Sequence, residues 1–383
     1  MITTPLAALY LHGAADIEPT ARGLRPHRLP AWVRAQFPDP QLLMAEAQPS
    51  GVRLAMTTAA RTITLVSHPS RVTYKGVDRP RGSIDFVVDG DLVASDLLDG
   101  GDVIEVDFQT GATSFRPGTA HTTVFTHVFD GDKVVELWLP HNESLELIEL
   151  RTDAPVHPVA LNRPVWIHHG SSISHGSNAA TPTEIWPAVA ARIGGAELRN
   201  LGFGGSALVD PFVARVIRDA RADLVSVKLG INVVNLDSMR LRAFVPAVHG
   251  FLDTIRAGHP TKPLILISPI FCGIHEDTPG PGSFDPDSLG TGHIRFIATG
   301  RSEDQRQGKL TLRVIRDALA SLVDRRTGDP NLHYLDGTTL YGEADAVEHP
   351  LPDALHPDTA THHLIGERFA KYAFAQTGPF SAL

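Results

Sequence analysis

The chain has 383 residues and a formal net charge of −9, from 34 Lys and Arg against 43 Asp and Glu. Its 42% hydrophobic and 20% charged residues are a globular composition and exclude a disordered chain, which would lack the apolar surface to offset ordering entropy. No run of Lys or Arg offers the basic stripe that phosphate neutralisation needs, so no nucleic-acid partner is expected, and a single cysteine, Cys272, excludes an intramolecular disulfide and a cysteine zinc cluster.

At the N-terminus the apolar piece 6–11 is short and has no basic residue before it, which makes a poor signal peptide. No stretch approaches the ~20 apolar residues that span a bilayer. The expectation is a soluble cytoplasmic protein without a membrane partner, with secretion open if a leader was removed.

Up to about residue 160 the chain shows short alternating runs at 61–66, 83–87, 103–108, 133–139 and 145–150. Period-2 alternation sets one face on a core and the other in water. Asp89-Gly90, Gly100-Gly101 and Asp130-Gly131 punctuate these runs with residues that tolerate positive φ. No long amphipathic helix is evident, so residues 1–160 are expected to form an antiparallel, jelly-roll-like β-sandwich.

Residues 161–383 change character. Apolar strands are expected at 164–168, 197–201, 223–229, 263–270 and 332–335. Helices are expected at 184–193, 211–222, 238–257, 309–325 and 361–374, the third capped by Asp237 or Ser238. Near-continuous apolar strands alternating with helices predict a three-layer α/β/α domain around a five-stranded parallel sheet. The stretch 271–308 has no period and is rich in Gly, Pro, Asp and Ser. Such a length suits either a lid or binding loop, or an ordered surface excursion.

Ligands of open parallel sheets bind beyond the carboxyl ends of the strands, and four segments sit there. They are Gly170-Ser171-Ser172, the turn Asn200-Leu201-Gly202-Phe203-Gly204-Gly205, Gly230-Ile231-Asn232, and Asp353-Ala354-Leu355-His356. A serine at a strand-to-helix turn presents its hydroxyl at the mouth of the sheet. A carboxylate three residues before a histidine can hold its tautomer and leave the other nitrogen free as a base.

In this order the four segments resemble the SGNH hydrolases, also called the GDSL esterase/lipase family, over residues 164–374. The resemblance implies Ser172 as nucleophile, His356 as base and Asp353 as its orienting carboxylate. It also implies an oxyanion hole from the N–H groups of Ser172 and Gly205 and the side-chain amide of Asn232, with no cofactor and no metal. The sandwich ahead of such a domain resembles a two-domain layout of bacterial carbohydrate esterases. Two positions depart from the family pattern: Ser171 replaces the aspartate before the nucleophile, and Val233 replaces the aspartate after the oxyanion asparagine.

The function implied is a serine esterase or deacylase acting through an acyl-enzyme on a small-molecule acyl ester, acetyl first, with a carbohydrate or glycosylated metabolite as the alcohol. An acyltransferase using the same serine and an inactive carbohydrate-binding protein are the alternatives. The oligomeric state is left open. The G-x-G-x-x-A run 202–207 is a weak dinucleotide fingerprint, and Asp223 opens the next strand instead of closing it, which disfavours a nicotinamide cofactor. His168, His169 and His175 flank Ser172 without regular metal-ligand spacing. His275, Glu276 and Asp277 are candidates for substrate contact or for a solvated loop, and Trp186 for the core.

Overall fold

The computed structural model describes every residue except Asp78, Phe108, Gln109, Phe129, Ala382 and Leu383. The chain forms two compact units. One comprises Met1–Arg163 together with Ala180–Glu184, and the other Pro164–Ala179 with Ile185–Leu383. No helix among the described residues is long and apolar enough to cross a membrane.

The first unit is built on two sheets whose inner faces form one apolar core. Alternate residues enter it from each sheet: Ile63 and Leu65 of Thr62–Tyr74 and Leu145 and Leu147 of Ser144–Thr152 from one, Ile84 and Phe86 of Ser83–Val88 and Val135 and Leu137 of Lys133–Trp138 from the other. Across the core Phe86 stacks on Phe125 with ring centroids 4.8 Å apart. Strand pairing is antiparallel, as expected, except where Ser70–Tyr74 runs parallel to Asp102–Val106. Of the three turn dipeptides only Asp89-Gly90 closes a hairpin, between Ser83–Val88 and Asp91–Leu97. Both residues have positive φ, 51° and 98°. The other two dipeptides lie between strands of different sheets. The expected strand 103–108 is observed as Asp102–Val106, and its Phe108 lies outside the described residues.

Two short helices, Ala31–Gln36 and Pro40–Ala47, and the strand Arg53–Thr58 were not expected. That strand is buried on both faces, so it shows no alternation. On the outward side of Ser83–Val88 lies Asp85, fully buried. Its Oδ1 accepts from Ser95 Oγ, and its Oδ2 accepts from the N–H and hydroxyl of Thr183 at 3.0 and 2.6 Å. This carboxylate binds the 180–184 segment into the first unit.

The second unit is a five-stranded parallel sheet. Its strands are β1 (Val165–Gly170), β2 (Glu197–Gly202), β3 (Leu224–Lys228), β4 (Leu264–Ile267) and, after an antiparallel pair β5 (Gly282–Phe284) and β6 (Phe296–Ala298), β7 (Leu332–Leu335). The order across the sheet is β2-β1-β3-β4-β7. Besides a short helix at Glu343–Glu348, the helices are α1 (Ser172–His175), α2 (Trp186–Ile193), α3 (Pro211–Asp219), α4 (Ile231–Asn235), α5 (Leu241–Gly258), α6 (Leu312–Arg325) and α7 (Thr359–Ala373).

Strand alternation makes the three layers visible within β1. Trp166 stacks on Phe369 of α7 at 5.0 Å and lies against Trp186 of α2, whereas His169 stacks on Phe251 of α5 at 5.8 Å. Helices therefore cover both faces, as the apolar strands predict. The N-cap of α5 is Arg240, not Asp237 or Ser238. Asp237 instead has φ 47° and pairs with Arg240 and Lys309. Thr311 and Asp358 cap α6 and α7 through their side chains.

Candidate active site

Two glycines allow α1 to sit hard against the carboxyl ends of β1 and β2. A Cβ on Gly170 would lie 2.3 Å from Ser174 Oγ, and one on Gly202 would lie 2.5 Å from the backbone of Ser174 and His175. Polar groups complete the anchorage. His168 bonds Ser226 Oγ through Nδ1 and Ser174 Oγ through Nε2, each at 2.7 Å, one nitrogen donating and the other accepting. Asn200 donates to the carbonyl of Ser174 and accepts from the N–H of Gly202. Burial holds His168 well below the usual histidine range, so it serves this network as a neutral ring.

Ser172 is the first residue of α1 and half-buried. Its Oγ lies 2.8 Å from Nε2 of His356, and Nδ1 of His356 lies 2.8 Å from Oδ2 of Asp353. A carboxylate can only accept, so Nδ1 carries the proton and Nε2 is left to accept from the serine hydroxyl. Asp353 Oδ1 also accepts from the backbone N–H groups of Leu355 and His356, at 2.9 and 2.6 Å. Ala354, at φ 66°, makes that tight return possible. Burial pushes the Asp353 carboxyl up, but the charge and hydrogen bonds of His356 outweigh it and hold the group below the usual carboxylate range. Asn178 donates to Asp353 Oδ2 at 3.2 Å, a contact the sequence reading did not anticipate.

Three donors lie at the neighbouring strand ends. Ser172 N–H belongs to the first helical residue and has no intrahelical partner. Gly205, at φ 72°, follows Gly204 in the turn after β2, where a Cβ on Gly204 would lie 3.8 Å from Ser172 Cβ. Asn232, on α4 just after β3, is 2% exposed and accepts from Ala207 N–H through Oδ1 at 3.0 Å. That bond fixes the amide and leaves its NH₂ group for another acceptor. Among the described residues, none of these three donors is spent on a protein acceptor.

The remaining candidates separate into structural roles. His168 and His169 point to opposite faces of β1, so the histidines around Ser172 do not converge on one point. His175 accepts from Gly204 N–H at 3.3 Å. Glu276 is buried, pairs with Arg316 and receives Cys272 N–H, while Asp277 pairs with Arg313 at the surface. Trp186 is core. Burial pushes the Cys272 thiol up to about 12, which makes it unreactive. His362 accepts from Trp186 N–H and donates to Ser177 O, and burial lowers it to about 4. Of the two family departures, Val233 is core, and Ser171 Oγ is buried with no partner.

The aperiodic 271–308 stretch reaches this site. Phe296 of β6 donates its N–H to the carbonyl of Asp353 at 2.8 Å, and its ring meets the His356 imidazole edge-on at 5.5 Å. Phe284 of β5 packs on Phe296 at 5.0 Å. No sequence motif marks either phenylalanine. Only their position in a long loop after a strand end hints at a role.

A serine hydroxyl linked to an imidazole at the carboxyl edge of a three-layer parallel sheet is the arrangement of an α/β serine hydrolase. Residues 162–272 match the model of the GDSL-like Lipase/Acylhydrolase family, and residues 9–147 match that of the SsfX3 N-terminal domain. The chain thus carries a GDSL-like lipase/acylhydrolase domain, of the SGNH hydrolase type, over residues 162–272. Among solved structures it is similar to the salicylyl-acyltransferase SsfX3 from a tetracycline biosynthetic pathway. That match has 27% identity and a TM-score of 0.77, over 96% of this chain and 94% of that one. A GDSL-like protein of Bacteroides ovatus ATCC 8483 shares the fold at 19% identity and TM-score 0.68, over 99% and 98% of the two chains. So does a family two carbohydrate esterase from Clostridium thermocellum in complex with cellohexaose, at 15% identity and TM-score 0.51, over 84% and 91%. No curated protein matches.

Proposed function

We propose that the chain is a serine esterase that removes a small acyl group, acetyl first, through an acyl-enzyme on Ser172. The observation that carries this is the unbroken chain from Ser172 Oγ to His356 to Asp353, with both links at 2.8 Å. His356 takes the hydroxyl proton as Ser172 attacks the ester carbonyl, and Asp353 steadies the imidazolium. The oxyanion is held by the N–H groups of Ser172 and Gly205 and the amide of Asn232. Each such donor is typically worth about 3–4 kcal/mol of barrier. His356 then returns its proton to the leaving alcohol, and water, activated by the same imidazole, releases the acid. A sugar or glycosylated metabolite is the alcohol class that the carbohydrate esterase fold suggests.

Replacing Ser172 with Ala tests the reading. Release of nitrophenol from its acetate should fall at least ~100-fold at neutral pH. Equal rates in the two proteins would remove Ser172 from the chemistry.

One observation favours a second reading. The likeness to a salicylyl-acyltransferase runs through both units. In that case the acyl-enzyme is opened by an alcohol in place of water. Adding alcohol acceptors and measuring transfer product against free acid separates the two. A ratio that stays at the solvent background leaves hydrolysis alone.

A further inference from the structure

We propose that Phe296 and Phe284 form the alcohol subsite, an apolar shelf that selects esters whose alcohol carries a ring with an apolar face. The inference rests on the roles of Ser172 and His356 given above and goes beyond them. It follows from where a base must stand. Nε2 of His356 faces Ser172 Oγ, and after the attack it must hand its proton to the oxygen of the departing alcohol. The carbonyl oxygen points instead to the donors of Ser172, Gly205 and Asn232. A side chain packed against the imidazole therefore borders the alcohol, and one beside the oxyanion donors borders the acyl group.

The residue packed against the imidazole is Phe296, edge to face at 5.5 Å. Phe284 extends the apolar surface from it at a centroid distance of 5.0 Å, and both rings are only partly buried. The shelf is rigid. Its strands β5 and β6 pair in register from Gly282↔Ala298 to Phe284↔Phe296, and Arg295 closes an ion pair on Asp285 at 2.9 Å. The bond from Phe296 N–H to the Asp353 carbonyl ties the strand to the loop that bears both Asp353 and His356. Two aromatic rings without a charged side chain between them recognise a planar or disc-like apolar face, which an arene and a pyranose share. A methyl or ethyl alcohol would leave the shelf uncovered.

The experiment compares kcat/KM for benzyl acetate and methyl acetate, whose leaving alcohols are similarly acidic, in the wild type, Phe296→Ala and Phe296→Tyr. The wild type should prefer the benzyl ester. Phe296→Ala should cut the benzyl-to-methyl ratio about tenfold, and Phe296→Tyr should keep it. Because the backbone N–H remains, the tie to Asp353 survives the substitution. An acetylated methyl glucoside that follows the benzyl ester identifies a sugar face as the occupant, and one that follows the methyl ester identifies an arene. Equal slowing of the benzyl and methyl esters would overturn the proposal and reduce Phe296 to a support for the loop. If Phe296→Ala does not fold, Phe284→Ala reads the same ratio, and an unchanged ratio there overturns the proposal. Failure of the underlying reading looks different: Ser172→Ala would then still turn over both esters.

Discussion

In the proposed mechanism Asp353 must be an anion, and its surroundings keep it one. Its lowered carboxyl contributes stability above the unfolded-state value of about 3.9, and that contribution fades as pH falls through the still lower folded value. Asp353→Asn is expected to reduce kcat by about 10⁴-fold, because an amide can turn its acceptor away from Nδ1 and favour the wrong tautomer. An unchanged kcat would detach Asp353 from the imidazole. Lys228, at the end of β3, presents the opposite problem. It is 3% exposed, and burial lowers its ammonium to about 8. Its folded-state value lies below the unfolded one, so the unfolded chain binds more protons between the two. Stability therefore rises with pH through that window, and below about 8 the full cost is present. Lys228→Met should gain a few kcal/mol at pH 7 and progressively less by pH 10. A Tm that does not rise at pH 7 would count against this. The orphaned hydroxyl of Ser171 makes a smaller claim. Ser171→Ala should leave stability unchanged or raise it by about 1 kcal/mol, measured by urea melting.

At the level of strands and helices, pH enters the first unit through His121, the first residue of the strand His121–Thr126. Burial would lower its imidazole, but Asp99 and Asp96, at 2.6 and 2.8 Å on its two nitrogens, outweigh burial and raise it. The stabilisation is complete below the unfolded value of about 6.5 and is lost as pH rises through the raised value. His121→Gln should therefore lower Tm more at pH 6 than at pH 9. Loss of the same size at both would point to packing alone.

The legibility of the elements follows the same physics. The α/β half was readable because its central strands are largely apolar and its longer helices amphipathic. The candidate site was readable because Ser172, Gly205 and Asn232 lie just after strand ends, and Asp353 and His356 stand three residues apart ahead of the last helix. Arg53–Thr58 escaped because burial on both faces erases alternation. The helices Ser172–His175 and Ile231–Asn235 escaped because one turn is too short to show a period. Phe284 and Phe296 escaped because nothing in an aperiodic segment announces that its backbone will be tied to Asp353.

On the scale of the molecule, the two units are not successive lengths of chain. Residues 180–184 lie between α1 and α2 in sequence, yet they belong to the first unit, where Asp85 receives both donors of Thr183. Asp85→Ala leaves those donors and Ser95 without their buried acceptor. It should cost about 2–4 kcal/mol, read from the unfolding of the first unit, and a loss below 0.5 kcal/mol would show the clasp to be idle. Composition could not reveal this arrangement, since 180–184 reads as an ordinary loop and Asp85 as the polar member of an alternating strand.

The interleaving sets an order of events during synthesis. When residue 163 leaves the ribosome the first unit still lacks its last segment, with Asp85 holding a vacant pair of acceptor sites. By the time Thr183 arrives to fill them, β1 and the turn bearing Ser172 have already been made. The sandwich is thus finished only after the hydrolase unit has begun, and a gene cut at their apparent border would leave one piece short of a clasp and the other with five residues that belong elsewhere.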